Sequence, residues 1–121
     1  MSKSVLIIED EPFILEALSF LLEREGYALS SFSDGEGCVD YIKKIKPDLI
    51  ILDMMLPNIS GMQILENLRS SQEFQSLPVL MLTAKGQRRD RQAAENAGAS
   101  LFMTKPFSND EIIANVHKLL N

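Results

Sequence analysis

Runs of aliphatic residues, each followed by a stretch with helical spacing, give this chain its pattern. The longest unbroken run covers residues 49–52 and lies between Pro47 and Pro57. An aliphatic run of this kind is typical of a strand that is buried on both faces. Asp53 follows the run directly, and Gly61 then marks a turn into a helical pattern. The sequence therefore predicts a buried strand that ends in a carboxylate.

Four more strands and five helices are predicted from the same pattern. The helices alternate with the strands, and the second strand is short and polar enough to be an edge strand. Alternation of this kind implies an α/β fold, with a doubly wound parallel five-stranded sheet between two layers of helices. The other strands are predicted at residues 4–8, 28–32, 78–82 and 101–103, and the helices at residues 12–25, 35–45, 60–70, 87–97 and 108–120.

The apolar residues of the helices predict how firmly each helix is anchored. In the first helix, Phe13 and Phe20 support the aliphatic positions, which predicts a well-anchored element. In the helix at residues 87–97 the apolar residues are all alanines, so little surface can be buried. We expect that helix to be the most mobile element. Residues 108–111 predict a capping box at the start of the last helix.

Composition narrows the class of protein. The chain has 121 residues, 45% of them hydrophobic, which suits a single domain over residues 1–121. A net charge of −5 argues against nucleic-acid binding by the whole surface. The single cysteine, Cys38, excludes an intramolecular disulfide and indicates a reducing, cytoplasmic setting. There is neither a leader-like segment nor an apolar run near 18 residues, so we expect a soluble protein without a membrane span.

Polar residues follow four of the five predicted strands. They are Glu9 with Asp10, Asp53, Thr83 and Lys105. Because the carboxyl ends of parallel strands meet at one edge of a sheet, we expect these side chains to lie together. Two carboxylates 4 Å apart repel by about 4 kcal/mol at an effective dielectric near 20. A hard divalent cation such as Mg²⁺ relieves that repulsion and suits oxygen ligands.

The remaining two residues point to phosphoryl transfer. Lys105 supplies a compact positive charge for an oxyanion, and Thr83 supplies a hydroxyl donor. Phosphoryl transfer depends on positioning and charge neutralisation, so no histidine is required. Taken alone, each residue also has an ordinary role as a helix cap, a strand-end hydroxyl or a solvated lysine. His117 lies in the last helix and is interpreted as a surface or packing residue, and Cys38 as a small core residue.

The chain resembles the receiver domain of two-component response regulators over essentially its whole length. The stretches that carry the resemblance are residues 5–11, 47–61, 78–85 and 98–107. The resemblance implies a flavodoxin-like (βα)5 fold with strand order 2-1-3-4-5. It also implies a phosphoryl switch that catalyses its own phosphorylation and slow dephosphorylation, but is not an enzyme in the ordinary sense.

The resemblance also implies roles for single residues. Asp53 would be the phosphoacceptor, with Mg²⁺ or Mn²⁺ held by the carboxylates and by a backbone carbonyl. Met55 and Lys85 would tune the loss of the phosphoryl group. The full set of implied site residues is Glu9, Asp10, Asp53 and the Met55 carbonyl for the metal, Thr83 and Lys105 for the phosphoryl oxygens, Thr83 and Phe102 for the switch, and Pro106 in a cis peptide that would aim the lysine.

The implied partners are a sensor histidine kinase or phosphotransfer protein, and a downstream protein or fused output domain that reads the face at residues 84–105. Direct contact of this domain with nucleic acid or membrane is not expected. Many winged-helix regulators of this kind dimerise through acidic residues and an arginine, at positions where this chain has Ser100, Leu101 and Asn115. The basic group Arg88, Arg89 and Arg91 instead predicts an acidic partner, or is simply a solvated helix face.

Single residues also depart from the family pattern or argue against other functions. Glu9 stands where an aspartate is common, and Phe102 where a tyrosine is common. An enzyme of the haloacid-dehalogenase type needs a second aspartate at the position of Met55. A flavodoxin-type binding module needs a phosphate loop after the first strand, where residues 9–11 would repel a phosphate. A pseudo-receiver that serves only as a scaffold would usually lack one of the five site residues.

Overall fold

Five parallel strands form one sheet in the order β2-β1-β3-β4-β5. The computed structural model describes residues 2–84 and 88–121. The predicted α/β fold and strand order are confirmed. The strands are β1 (Ser4–Ile8), β2 (Ala28–Phe32), β3 (Leu49–Asp53), β4 (Val79–Thr83) and β5 (Leu101–Thr104).

Helices cover both faces of the sheet. Side chains of α2, α3 and α4 pack on one face, and those of α1 and α5 pack on the other. A 3-10 helix, Gln72–Phe74, follows α3. The helices are α1 (Pro12–Arg24), α2 (Cys38–Ile45), α3 (Gly61–Arg69), α4 (Arg88–Asn96) and α5 (Asn109–Leu120).

The three central strands form the core. Every residue of β3 and β4 is buried, and so are four of the five residues of β1, because helices cover these strands on both sides. In β2 no residue is fully buried, as the polar composition predicted for an edge strand. The central strands therefore give the residues at their ends a rigid support.

The predictions for the helices need four corrections. Phe13 and Phe20 do not pack on the core but are 80% and 64% exposed. The second helix begins at Cys38 and not at residue 35, because Gly37 adopts a left-handed conformation with φ +79°. The Ser108 side chain accepts a bond from the Glu111 backbone N–H, but no reciprocal bond of a capping box is observed among the described residues. The 3-10 helix was not predicted.

In α4 the prediction of weak anchoring stands. Ala94 is its one fully buried residue within the described part of the helix. The expected start of this helix at residue 87 lies outside the described residues. None of the helices in the described ranges is both long and apolar enough to pass through a lipid bilayer.

Candidate functional site

The carboxyl edge of the sheet brings the predicted site residues together. Glu9 follows β1, Asp53 ends β3, Thr83 ends β4 and Lys105 follows β5. Glu9, Asp53 and Thr83 are 1%, 4% and 0% exposed. Burial to this extent is rare for carboxylates such as Glu9 and Asp53 unless they are paired. Asp10, next to Glu9, is exposed at the rim of the group.

Lys105 is the cation at the centre of this group. Its Nζ lies 2.8 Å from Glu9 Oε1 and 3.5 Å from Asp53 Oδ1. The contact with Glu9 is close but not aligned as a hydrogen bond, and Oε1 has no other hydrogen-bond partner in the described part of the chain. The Lys105 backbone N–H donates to the Thr83 carbonyl at 2.8 Å, which fixes the end of β5 beside β4.

Burial and charge shift the pKa values of this group. Burial, a hydrogen bond with Glu9 and the charge of Glu9 raise the pKa of Asp53 from 3.8 to about 7. Burial alone would lower the pKa of Lys105, but its close contact with Glu9 and the charges of Asp53 and Glu9 outweigh that effect and raise it. Without a further cation, Asp53 is therefore only partly ionised near neutral pH.

The donor set fits a hard divalent cation. Glu9, Asp10 and Asp53 each offer a carboxylate oxygen, and these oxygens lie within 4.8 Å of one another. Buried Glu9 Oε1, with its lysine contact but no aligned hydrogen bond, has an open lone pair for such an ion. No thiolate or imidazole belongs to the cluster, and the all-oxygen set matches Mg²⁺ or Mn²⁺ better than a softer metal.

The loop after β3 folds tightly against Asp53. The Met55 backbone N–H donates to Asp53 Oδ1 at 3.2 Å, and the Met55 side chain is 56% exposed. Gly61 packs so closely that a Cβ there would overlap the Asp53 carbonyl oxygen. Ser60 caps α3 in a full capping box with Gln63. The loop between β3 and α3 is therefore held at its start by the bond to Asp53 and at its end by the cap of α3.

The other residues named from the sequence lie in different places. Phe102 is buried, and the Arg91 guanidinium lies 5.4 Å from the centre of its ring. The Lys105–Pro106 peptide is cis. His117 is exposed on α5 within 3.5 Å of the Tyr27 hydroxyl, and Cys38 is buried in the core. Lys85 lies outside the described residues.

A cleft of about 350 Å³ beside Lys105 was missed in the sequence analysis. Ile14 is half-buried, packs against the core and also lines this cleft. The signal in the sequence was an apolar residue one helical turn after the acidic stretch, close to the strand ends. The residues lining the cleft are Glu11, Ile14, Ala84, Lys105, Pro106 and Phe107.

Comparisons with known proteins agree with this geometry. The family model of the response regulator receiver domain matches residues 5–117. The chain is 42% identical over 120 residues to the alkaline phosphatase synthesis transcriptional regulatory protein PhoP of Bacillus subtilis, covering 99% of this chain and 49% of that protein.

Two further similarities bear on the fold and the length. The chain is 40% identical over 117 residues to the probable transcriptional regulatory protein TcrX of Mycobacterium tuberculosis, covering 97% of this chain and 49% of TcrX. It superimposes with a TM-score of 0.95, at 32% identity, on the crystal structure of a putative response regulator from Chloroflexus aurantiacus, covering 99% and 98% of the two chains. The chain thus spans about half the length of the curated relatives it matches, and it belongs to the response regulator receiver domain family.

Proposed function

We propose that Asp53 accepts a phosphoryl group from the phosphohistidine of a sensor histidine kinase or phosphotransfer protein. The observation that carries this proposal is the almost fully buried Asp53 carboxylate, with Lys105 Nζ 3.5 Å away and two more acidic residues beside it. A carboxylate at the carboxyl end of a central parallel strand, beside a lysine, is placed to act as a nucleophile. Receiver domains are not classical enzymes, and we infer that this one catalyses only its own modification.

The proposed step forms one bond and breaks one. A carboxylate oxygen of Asp53 attacks phosphorus, the phosphorus–nitrogen bond of the donor breaks, and the donor imidazole leaves as a neutral base after taking up a proton. Lys105 holds positive charge next to the phosphoryl oxygens, and Thr83 offers its hydroxyl at the adjacent strand end. Hydrolysis would remove the group: water attacks phosphorus, the phosphorus–oxygen bond to Asp53 breaks, and the carboxylate leaves as inorganic phosphate is released. Met55 and Lys85 are the residues expected to influence its rate.

Glu9, Asp10, Asp53 and the Met55 backbone carbonyl would hold Mg²⁺ or Mn²⁺. A bound divalent ion supplies positive charge that lowers the repulsion between the carboxylates and the incoming phosphoryl group. The raised pKa of Asp53 supports this role, because the nucleophile must be ionised and an added cation favours the ionised form.

We infer that the switch runs from Thr83 to Phe102 and α4. Phe102 already lies inside, under Arg91, so phosphorylation would act on a ring that is covered by α4. The few buried side chains of α4 leave this helix free to move at low cost. Hydrogen exchange with and without beryllofluoride should change most across residues 84–105.

The outer face of α4 is the proposed contact for the downstream partner. A shallow depression of about 520 Å³ on this helix is lined by Arg88 and Arg89 together with Gln92, Ala93 and Asn96. Basic groups on a protein of net charge −5 favour an acidic protein or an acidic surface of a fused output domain. The lengths of the curated relatives support an output domain, which this stretch of 121 residues does not include.

Phosphorylation is tested by intact mass after incubation with acetyl phosphate and Mg²⁺. The wild type should gain the mass of one phosphoryl group, and both Asp53→Asn and a sample with the metal chelated should gain none. A phosphoryl adduct of undiminished yield in Asp53→Asn would contradict the assignment.

A further inference from the structure

The loop that follows β2 is tied to the loop that follows β3 by one aspartate. The two carboxylate oxygens of Asp34 accept bonds from the Asn58 side-chain Nδ2 at 3.0 and 2.9 Å. The same carboxylate accepts a bond from the Glu36 backbone N–H at 2.9 Å. Asp34 and Asn58 are 24 residues apart in the chain, so the bond joins two separate loops of the same sheet edge.

Close backbone packing accompanies this bond. Gly35 is buried, and a Cβ at this position would overlap the carbonyl oxygen of Ile59. The Gly35 backbone N–H also donates to the Pro57 carbonyl at 3.4 Å. The two loops therefore meet along several residues, and the Asp34–Asn58 pair closes the contact on its solvent side.

Asn58 has a conformation that needs such support. Its φ is +68°, in the left-handed region that side chains other than glycine seldom adopt. The Ile59 backbone N–H donates to the Pro57 carbonyl at 2.8 Å, so the chain turns sharply here. A bond from the Asn58 side chain to a second loop holds this turn in one orientation.

The turn is only a few residues from the phosphoacceptor. Met55 lies between Asp53 and Asn58, and its backbone N–H donates to Asp53 Oδ1 at 3.2 Å. The other end of the loop is fixed by Gly61, whose N–H donates to the Met54 carbonyl at 3.0 Å. Movement of Asn58 would thus be passed to the Met55 backbone, since the loop is held on both sides by these hydrogen bonds.

We propose that Asp34 is a positioning residue for the phosphoacceptor site, acting through Asn58 on the loop at residues 54–60. Asp34 touches neither the reacting atoms nor the cation. It sets the position of the Met55 peptide relative to Asp53, and this position in turn determines the affinity of the site for Mg²⁺. This inference rests on the proposed function, in which the Met55 backbone carbonyl is a ligand of the cation.

A matched control exists on the same sheet. Asp48 also joins two segments, since its Oδ2 accepts from the Ser4 backbone N–H at 2.8 Å and from the Ser4 hydroxyl at 3.3 Å. That bond lies at the amino end of β3, away from the site. Loss of either aspartate removes a comparable bridge, but only the loss of Asp34 should reach Asp53.

The test measures Mg²⁺ affinity by calorimetric titration in Asp34→Ala, Asn58→Ala, the double variant and Asp48→Ala. Asp34→Ala and Asn58→Ala should each weaken Mg²⁺ binding by about tenfold, the effect usual for a residue that orients a metal ligand. The double variant should be no weaker than either single one, because both changes break one contact. In Asn58→Ala the Glu36 backbone N–H can still donate to Asp34. This variant therefore tests the contact between the two loops without disturbing the residues that lead into α2.

Two further readouts distinguish positioning from general stability. Asp34→Asn keeps an acceptor oxygen for Asn58 and should recover most of the affinity. The amide resonance of Met55 in metal-free protein should shift in Asp34→Ala and stay in place in Asp48→Ala. Urea unfolding is expected to show a similar loss of stability in both alanine variants.

The outcomes separate this inference from the proposed function. If the wild type neither binds Mg²⁺ nor accepts a phosphoryl group, the proposed function fails. If the wild type does both and Asp34→Ala binds Mg²⁺ as tightly as Asp48→Ala does, only the positioning role of Asp34 is overturned.

Discussion

The two ends of β3 each carry an aspartate, and the two carboxylates have opposite surroundings. Asp48 immediately precedes the strand, is exposed, and accepts bonds from the backbone and hydroxyl of Ser4. Asp53 ends the strand, is 4% exposed, and shares its space with Glu9 and Lys105. One carboxylate is surrounded by donors and by water, and the other by a second acid and a single ammonium group.

This difference shows how the surroundings alone change the chemistry of a carboxylate, without any change in residue type. Asp48 is a structural link, because the Ser4 backbone N–H and hydroxyl donate to its carboxylate and solvent reaches it, so no cation is needed to balance its charge. Asp53 has one backbone N–H at 3.2 Å and a lysine at 3.5 Å, while burial and Glu9 raise its pKa to about 7. An added cation would stabilise such a site, which lowers the stability of the folded protein while no cation is bound.

The largest expected effect is on stability. The folded-state pKa of Asp53 lies above its ordinary value of 3.8, so the ionised form is disfavoured in the folded protein. That cost is absent below about pH 4, grows as the pH rises to about 7, and is complete above it. In metal-free buffer, Asp53→Asn should therefore be more stable than the wild type by about 4 kcal/mol at pH 8 and nearly equal to it at pH 4.

Urea unfolding at several pH values with EDTA measures this difference. Asp48→Asn is the matched control at the other end of β3 and should not stabilise the protein at pH 8. A difference between Asp53→Asn and the wild type that stays flat from pH 4 to pH 8 would show that burial of Asp53 does not act as described.

The next effect is on cation binding. Asp10→Asn should weaken Mg²⁺ binding by more than about tenfold, because it removes the charge of one of the three proposed carboxylate ligands. Asp48→Asn should leave the affinity unchanged, which separates a site effect from the loss of one negative charge on the whole protein. Titration with Mg²⁺, followed by calorimetry or by amide resonances, measures the affinity of both variants. Equal weakening in the two variants would contradict the proposed difference between the two ends of β3.

The smallest effect is expected at two arginine–aromatic contacts. Arg91 lies 5.4 Å from the ring centre of buried Phe102, and Arg24 lies 5.5 Å from that of exposed Phe20. Each contact contributes about 0.5–1 kcal/mol at most, so the alanine variants should lose little stability. Only Arg91→Ala should alter the affinity for beryllofluoride, since Phe102 lies on β5, the strand that leads to Lys105, whereas Phe20 lies on α1. An equal response to beryllofluoride in both variants would remove Arg91 from the switch.

Much of this molecule could be predicted from the order of residues along the chain. Buried parallel strands need unbroken aliphatic runs, so residues 49–52 and 79–82 were visible as strands. Since the carboxyl ends of parallel strands meet at one edge, the sequence alone predicts that Glu9, Asp53, Thr83 and Lys105 lie together.

Other features depend on contacts between distant parts of the chain. Phe13 and Phe20 fit the spacing of an amphipathic helix, but their exposure depends on where the sheet ends beneath α1. The pairing of Asp34 with Asn58 depends on how two loops fold, for which residue spacing gives no signal. The raised pKa of Asp53 likewise depends on the closeness of Glu9, which only the packed sheet sets.

Mapping the modified residue tests the central claim most directly. The protein is incubated with acetyl phosphate and Mg²⁺, reduced with borohydride, which converts an aspartyl phosphate to homoserine, and analysed by peptide mass spectrometry. Homoserine should appear at position 53 alone, in the wild type and in Asp48→Asn alike. Homoserine at Asp10 or Asp48, or a phosphate on His117 with none at Asp53, would contradict the proposed role of the carboxyl end of β3.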